Sequence, residues 1–334
     1  MTKRVSTTVG GLIVAAAIAV AAPALAQAQT NAPITLRIGH FPNITHVQGL
    51  VAHNMSRNGK GWFEQRLGAA VKIEWYVYNA GPSAMEAIFA KSIDLTYVGP
   101  NPAINAYFKS AGQEGRIVAG AVNGGSALVV QGDSILKTPA DFRGKKIASP
   151  QFGNTQDVAA RAWLKKGGLT ITQTGGDAQV VPTANPDQLS LFKQKQLDGV
   201  WTVEPWISRL EADAGGKVLI DDREAITTVL VARADFLATQ RDLVRKVVAA
   251  HRELTEWIKA NPAEAQKLAR DELEAETRAK FPPELVISAW KRIVLTSDAS
   301  LDALKALISD AQAVGFLRNA PDLSRLVENT VEKP

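Results

Sequence analysis

The sequence predicts an α/β protein built as two lobes, each a mostly parallel sheet flanked by helices, and three observations carry that prediction. Strand-like and helix-like runs alternate from residue 34 to about 220, the pattern that aligns strands in parallel and puts helices on both faces of the sheet. The strands stop at Gly, Pro, Asn, Ser and Thr, residues that end a strand and cap the helix that follows. One late strand, 226–232, precedes a tail that is helical in period and composition after Asp235, so the tail is expected to pack back on the first lobe.

The N-terminus sets the compartment. Lys3-Arg4 precede an apolar run from Gly11 to Ala22, and Ala24-Leu25-Ala26 follows with a small-x-small pattern; together they read as a secretory signal cut after Ala26. The run is about half of what a membrane span needs, so residues 1–26 are set aside and the mature chain is expected free in a periplasm. Of 334 residues, 308 remain after those 26, enough for two domains at roughly 150 residues each. The chain has no cysteine, which excludes thiol catalysis, Cys-ligated zinc, disulfides and a lipid-modified N-terminal Cys. The net charge of +5 becomes +3 once Lys3 and Arg4 are removed. No stripe of Lys and Arg with interleaved aromatics gathers that excess, so nucleic acid is not an expected partner. A mild positive balance suits an anionic ligand.

Element by element, Ile34–His40 alternates like a sheet strand, Phe41-Pro-Asn-Ile-Thr45 breaks it, and Thr45 with Gln48 forms a capping box for a helix reaching about Ser56. Val71–Val77 is the next strand, and Ser83 with Glu86 forms a second capping box on a helix to Lys91. The run Asp94–Val98 stops at Gly99-Pro100, where Asn101 is the expected N-cap and Pro102 the first helical residue. Strands follow at Arg116–Val122 and Ala127–Gln131, joined by Asn123-Gly-Gly-Ser126. Lys145–Ser149 leads through Gln151-Phe-Gly-Asn154 into a helix from Thr155 to Lys166, capped by Asn154 with Asp157 at its third position and closed by Gly167-Gly168. Ala178–Val181 precedes a helix opened by Asn185-Pro186, and Leu197–Thr202 precedes one opened by Glu204-Pro205-Trp206. In the tail, Asn261-Pro-Ala-Glu264 is a further capped start.

The function suggested by this pattern lies in the strand-to-helix turns. Pro42-Asn-Ile-Thr45, Gly81-Pro-Ser83, Gly99-Pro-Asn101, Gly153-Asn-Thr155 and Val203-Glu-Pro205 each put capping residues where the spare N–H groups of a first helical turn face the strand ends. In open sheets of this kind ligands sit beyond those ends. Several such turns aimed at one cleft would hold a dehydrated oxyanion by hydrogen bonds to neutral donors, which are stronger for being charge-assisted. Each residue has a plainer reading beside this one: Ser83 either faces the ligand or spends its hydroxyl on its own helix, and Gly125-Ser126 is either a close approach to ligand or a loop. Glu204 either caps its helix or binds a donor on the ligand, and Trp201 and Trp206 are either ligand wall or core. His46 and His53 are seven residues apart, a spacing wider than a zinc pair normally uses, so no metal and no cofactor is expected. Nothing resembles a Ser/His/Asp order, a nucleophile elbow or a P-loop.

Taken in order, Phe41-Pro-Asn-Ile-Thr-His46, Gly99-Pro-Asn-Pro-Ala103, Gly124-Gly-Ser-Ala127, Gly153-Asn-Thr-Gln-Asp157 and Glu204-Pro-Trp206 resemble the periplasmic solute-binding proteins of aliphatic sulfonate, taurine and nitrate importers, over about 34–260. The resemblance implies a type II periplasmic binding fold with a two-strand hinge crossing near 126–130 and 224–229. It gives a first lobe of 32–126 and 226–334 and a second of 127–225. It implies a monomer that is not an enzyme, with a membrane permease and an ATPase subunit as partners and a small organic anion as ligand, a sulfonate or taurine before nitrate, a carboxylate or a pyrimidine precursor. The turns and the resemblance together give as expected site residues Phe41, Asn43, Thr45, Ser83, Gly99, Asn101, Gly125, Ser126, Asn154, Thr155, Gln156, Trp201 and Glu204. His40 stands where relatives often have Tyr. The same superfamily includes proteins of thiamin pyrimidine synthesis, whose enzymatic members resemble a Cys-rich iron site that a chain without cysteine cannot build.

Overall fold

The computed structural model describes residues 1–8, 10, 33–318 and 322–328; the predicted apolar run Gly11 to Ala22 and the cleavage point after Ala26 lie outside the described residues. From residue 33 the chain opens with β1 (Ile34–His40), a 3-10 turn (Ile44–His46), α1 (Val47–Arg57) and α2 (Trp62–Leu67). Next come β2 (Val71–Val77), α3 (Gly81–Phe89), β3 (Leu95–Val98), α4 (Pro100–Lys109) and β4 (Arg116–Gly124). A second run holds β5 (Ser126–Val130), β6 (Lys146–Ser149), α5 (Thr155–Lys166), β7 (Gln179–Pro182), α6 (Asn185–Lys193), β8 (Gly199–Val203), α7 (Trp206–Ala214) and β9 (Lys217–Asp221). The chain closes with β10 (Ile226–Ala232), α8 (Ala234–Thr239), α9 (Arg241–Ala260), α10 (Pro262–Thr277), α11 (Pro283–Trp290), β11 (Ile293–Leu295) and α12 (Leu301–Ala313).

Two sheets result, and their orders repeat. The first runs β2-β1-β3-β10-β4-β11 and the second β7-β6-β8-β5-β9. In the first, β10 is antiparallel to β3 and β4; in the second, β5 is antiparallel to β8 and β9. Those two strands are the ones the chain enters on changing sheets, at Gly124-Gly125 outbound and through residues 222–225 on the return. The outbound crossing demands glycine: Gly124 and Gly125 have φ of +70° and +67°, and a Cβ on Gly124 would stand 2.4 Å from the Arg292 carbonyl oxygen. Backbone with φ in that region is cheap only for glycine.

Each sheet is buried on both faces because its strands alternate apolar side chains outward to different helix layers. On β10, Leu230 and Ala232 join the core under α1, α2 and α9–α11, while Val229 and Val231 join the core under α3, α4 and α12. On β5, Leu128 and Val130 face α5, and Ala127 and Val129 face α6 and α7. Strands covered by helices on both faces need such near-continuous hydrophobic runs.

Several local expectations yield to tertiary contacts. Thr45 and Gln48 form no capping box: the N-cap of α1 is His46 without a side-chain cap bond, and the Gln48 amide nitrogen donates to the Ala121 carbonyl at 2.9 Å. Ser83 is not an N-cap either; α3 starts at Gly81 behind Ala80, and the Ser83 hydroxyl donates to the Ala80 carbonyl at 2.9 Å. The helix expected to begin at Pro102 begins at Pro100, capped by Gly99. Asn185 lies inside α6 rather than before it, and the Asn261 amide nitrogen donates back to the Trp257 carbonyl instead of capping α10. Asn154 does cap α5, its side chain accepting the Asp157 N–H at 2.8 Å. The tail is not wholly helical, since β11 adds an edge strand beside β4. Nor does it pack only on the first sheet: Lys166 of α5 pairs with Asp310 of α12 at 2.8 Å, and Gln173 donates to the Gly315 carbonyl at 2.9 Å.

Candidate functional site

The strand-to-helix turns of both sheets meet. The turn after β1 contributes Phe41, Asn43, Thr45 and His46, the turn after β2 Asn79–Gly81, the turn after β3 Gly99 and Pro102, the turn after β6 Pro150 and Asn154–Gln156, with Val203 at the end of β8 and Thr227 on β10. They enclose a cavity of about 20 Å³. That is space on the order of one water molecule. Thr155, Gln156 and Thr227 also line a second cavity of about 250 Å³, whose other walls include Ser126, Trp163, Trp201, Ile220, Ile226 and Leu307. A small polar chamber thus shares a wall with a larger one that combines aromatic and aliphatic side chains with the charged Lys166, Asp222 and Asp310.

The polar chamber is lined by neutral groups, with no Lys or Arg among its described lining residues. Two of its buried atoms, Thr45 Oγ1 and His46 Nδ1, have no hydrogen-bond partner among the described residues. A polar group left so inside a protein costs about 1–3 kcal/mol, which makes these two atoms the natural claimants of a guest. His46 is held well below its ordinary pKa, chiefly by burial and then by the nearby His40 ring, so its imidazole is neutral at pH 7. Asn43 is oriented from the opposite sheet: its Oδ1 accepts from the Trp206 indole at 3.0 Å and the Asn185 amide at 3.4 Å.

The α5 wall is built around Asp157. Its buried carboxylate accepts from Ser149 Oγ and from the Gly153 N–H at 3.0 Å each, and pairs with Arg161 through Nε at 3.0 Å and Nη2 at 3.1 Å. That pairing fixes the turn that presents Asn154, Thr155 and Gln156. Asn154 Nδ2 donates to Gln156 Oε1 at 3.1 Å, and Gln156 Nε2 donates to Ser126 Oγ at 3.2 Å. Because Ser126 Oγ accepts that bond, its own hydrogen is left for another acceptor. Thr155 Oγ1 likewise accepts the Asn101 N–H at 3.4 Å and keeps its hydrogen.

Of the residues singled out from sequence, Phe41, Asn43, Thr45, Gly99, Asn154, Thr155 and Gln156 line the polar chamber, while Ser126 and Trp201 line the larger one. Four do not line either. Ser83 sits beside the mouth, 3.4 Å from Gln151 Oε1. Gly125 belongs to the crossing. Asn101 lies one layer back, and because Pro100 and Pro102 flank it, its N–H is the one donor among the first three residues of α4. Glu204 is fully buried and accepts from the Ser208 N–H at 3.1 Å, the Ser208 hydroxyl at 3.0 Å and Arg292 at 2.9 Å. Burial pushes its carboxyl up to about 7 while Arg292 pulls the other way, so it serves as a helix cap and ion-pair partner. The sequence reading missed Asn79, Thr227, Trp163 and Ile220. Asn79 was within reach, as it ends β2 just before Gly81, but Thr227 and Ile220 read only as strand.

A sequence model of the NMT1-like family matches residues 29–271. A putative binding protein of Brucella abortus (strain 2308) is 27% identical over 246 residues, 70% of this chain and 73% of that protein. A putative aliphatic sulfonates-binding protein of Escherichia coli (strain K12) is 28% identical over 197 residues, 59% of this chain and 57% of its own. Among solved structures, the alkanesulfonate-binding protein SsuA from Xanthomonas axonopodis pv. citri bound to MOPS is similar with a TM-score of 0.72 at 22% identity, over 89% of this chain and 99% of that one.

Proposed function

Because this chain belongs to the NMT1-like family and has the fold of the periplasmic binding proteins, we propose that it is the solute-binding component of an ABC importer. It takes a small organic oxyanion, an aliphatic sulfonate or taurine, between two lobes formed by residues 32–126 with 226–334 and by 127–225, and hands it to a membrane permease. The observation that carries this reading is the pair of joined chambers. Unpartnered Thr45 Oγ1 and His46 Nδ1, with the hydroxyl hydrogens of Thr155 and Ser126, suit an oxyanion head. Trp163, Trp201, Ile220 and Leu307 suit an apolar tail.

A head group larger than water must widen the polar chamber, and the contacts over its mouth are the weak ones. Asn79 to the Pro150 carbonyl, Ser83 to Gln151 and Asn101 to Thr155 are all 3.4 Å. On the hinge side, Trp206 to Asn43 is 3.0 Å, and the Ile44 N–H to the Glu204 carbonyl and Arg292 to Glu204 are 2.9 Å each. Bonds near 3.4 Å are marginal, so opening meets little resistance at the mouth; it also breaks the α5–α12 contacts, Lys166 to Asp310 at 2.8 Å and Gln173 to the Gly315 carbonyl at 2.9 Å, while the hinge side holds, the motion a hinged binding protein uses. Closure then commits the ligand without chemistry on it.

The tail chamber separates an alkanesulfonate from nitrate, which has nothing to place there. A thermal-shift screen of taurine, nitrate, bicarbonate, alkanesulfonates and aromatic acids, followed by calorimetry on alkanesulfonates of rising length, tests the reading. Each buried methylene adds about 0.8 kcal/mol, roughly fourfold in Kd. Nitrate binding as tightly as the best alkanesulfonate, or an affinity indifferent to tail length, overturns it.

A further inference from the structure

Behind the polar chamber, the end of β1, helix α1 and helix α10 bring three metal-binding side chains to one point. His40 Nε2 lies 3.0 Å from His53 Nδ1 and 3.1 Å from Glu276 Oε1, and His53 Nδ1 lies 3.0 Å from Glu276 Oε1. A fourth group, Glu272 Oε1, is 3.0 Å from His53 Nδ1. Ligand atoms around a tetrahedral zinc at bond lengths of about 2.0–2.2 Å stand about 3.3–3.6 Å apart, so the triangle needs to widen by roughly half an ångström or less.

With both rings neutral, these contacts outnumber the hydrogens available to make them. His40 Nδ1 faces the Phe41 carbonyl at 3.3 Å; with its Nδ1 hydrogen donated there, the neutral form of the ring turns the Nε2 lone pair toward His53 and Glu276. His53 Nε2 faces Arg57 Nη2 at 3.4 Å, and a guanidinium only donates, so the His53 proton sits on Nδ1. That single hydrogen has three acceptors within 3.0 Å, and the His40 to Glu276 edge, at 3.1 Å, has none. Glu276 Oε2 also lacks a partner among the described residues, on a side chain only 3% exposed. Glu272 pairs with the Arg57 guanidinium, while Glu276 has the two imidazoles beside it, so a cation bound there would lie between two buried carboxylates.

We propose that His40, His53 and Glu276 form a site for a divalent metal ion of the zinc class, with Glu272 or water as the fourth ligand. Two imidazoles and a carboxylate are a donor set that zinc accepts. The outer contacts fit: His40 gives its other ring N–H to a backbone carbonyl, the usual second contact of a metal-bound histidine. Trp75 stacks on His53 at 5.3 Å and meets His40 edge-on at 5.6 Å, holding both rings in place. On binding, the His53 proton moves to Nε2, and Arg57 gives up its 3.4 Å contact there while keeping Glu272 at 2.6 Å. The ion ties α10 to β1 and α1, and so stiffens the Phe41–His46 wall from behind. The spacing of His46 and His53 spoke against a zinc pair; the fold instead brings His53 to His40 and turns His46 to the chamber.

The test uses the full chain without an affinity tag, stripped by a chelator and titrated with Zn²⁺ and Co²⁺. We expect one ion per chain, a higher thermal midpoint with Zn²⁺, and the visible bands of four-coordinate cobalt. Glu276→Gln and His53→Gln should each abolish those bands and weaken binding about tenfold or more, while His46→Gln leaves them unchanged. X-ray absorption of the wild-type zinc complex, which does not depend on the variants folding, should show two imidazoles. No stoichiometric binding by the wild type, binding unchanged in both variants, or a zinc shell without imidazole overturns the proposal.

Discussion

Gly99→Ala isolates the cleft from the fold. Gly99 has φ −63° and ψ 148°, ordinary extended backbone that alanine adopts without strain. A Cβ there would stand 2.5 Å from Thr155 Oγ1, 3.5 Å from Thr155 Cβ and 3.7 Å from Pro102 Cδ. Only the first contact is too close, and it belongs to α5, across the cleft. The lobes must part by most of an ångström, or the Thr155 hydroxyl must rotate and give up its 3.4 Å contact with the Asn101 N–H. Overpacking of this kind costs about 1–3 kcal/mol, and here it falls on the closed arrangement alone. The expected result is a Kd for the best alkanesulfonate weakened about 5- to 150-fold. Stability in urea should hold or rise by up to about 1 kcal/mol, since alanine restricts the unfolded chain. Calorimetry and urea unfolding on the same preparation decide it. An unchanged Kd, or a loss of stability matching the loss of affinity, refutes the assignment of Gly99 and Thr155 to facing walls of a closing cleft.

Thr45→Val keeps the shape of the side chain and removes a buried hydroxyl that has no partner among the described residues. Binding should weaken by about 1.5–3 kcal/mol, the worth of a bond to a charged acceptor, with stability unchanged or raised; lower stability with an unchanged Kd would place that hydroxyl in the fold instead. His251 is fully buried, its Nε2–H donating to the Gly120 carbonyl at 2.8 Å and Nδ1 accepting from Tyr97 at 3.0 Å, and burial lowers its pKa from 6.5 to about 4. Between those values the unfolded chain takes up a proton that the folded chain refuses. Its contribution is therefore complete above pH 6.5 and falls as pH drops toward 4, by about 3 kcal/mol. Urea unfolding across that range should show the loss in the wild type and a flatter profile in His251→Gln; equal slopes would rule it out.

What the sequence determined by itself was whatever depends on neighbours along the chain. Asn154 caps the helix that holds Asp157 because the bond spans three residues, and no tertiary contact competes for it. The alternation of strands and helices predicted layered sheets because each period sets which side chains a segment can bury. Five strand-to-helix turns pointed to a cleft at the strand ends, and each of them, the fifth through Val203, contributes a residue to the lining of one cavity. Tertiary structure decided wherever a local role met a stronger distant partner. Gln48 left its capping box for the Ala121 carbonyl, 73 residues away, and Glu204 was drawn off the cavity by Arg292, 88 residues on. His53 meets Glu276 across 223 residues. Such pairs follow from how α10 and the return strand dock on the first sheet, which is set by burial of whole helix faces and leaves no mark in residue spacing. The same docking brings together side chains from α5, β8, β9, β10 and α12 as the tail chamber, so the size of the guest is a property of the assembled lobes.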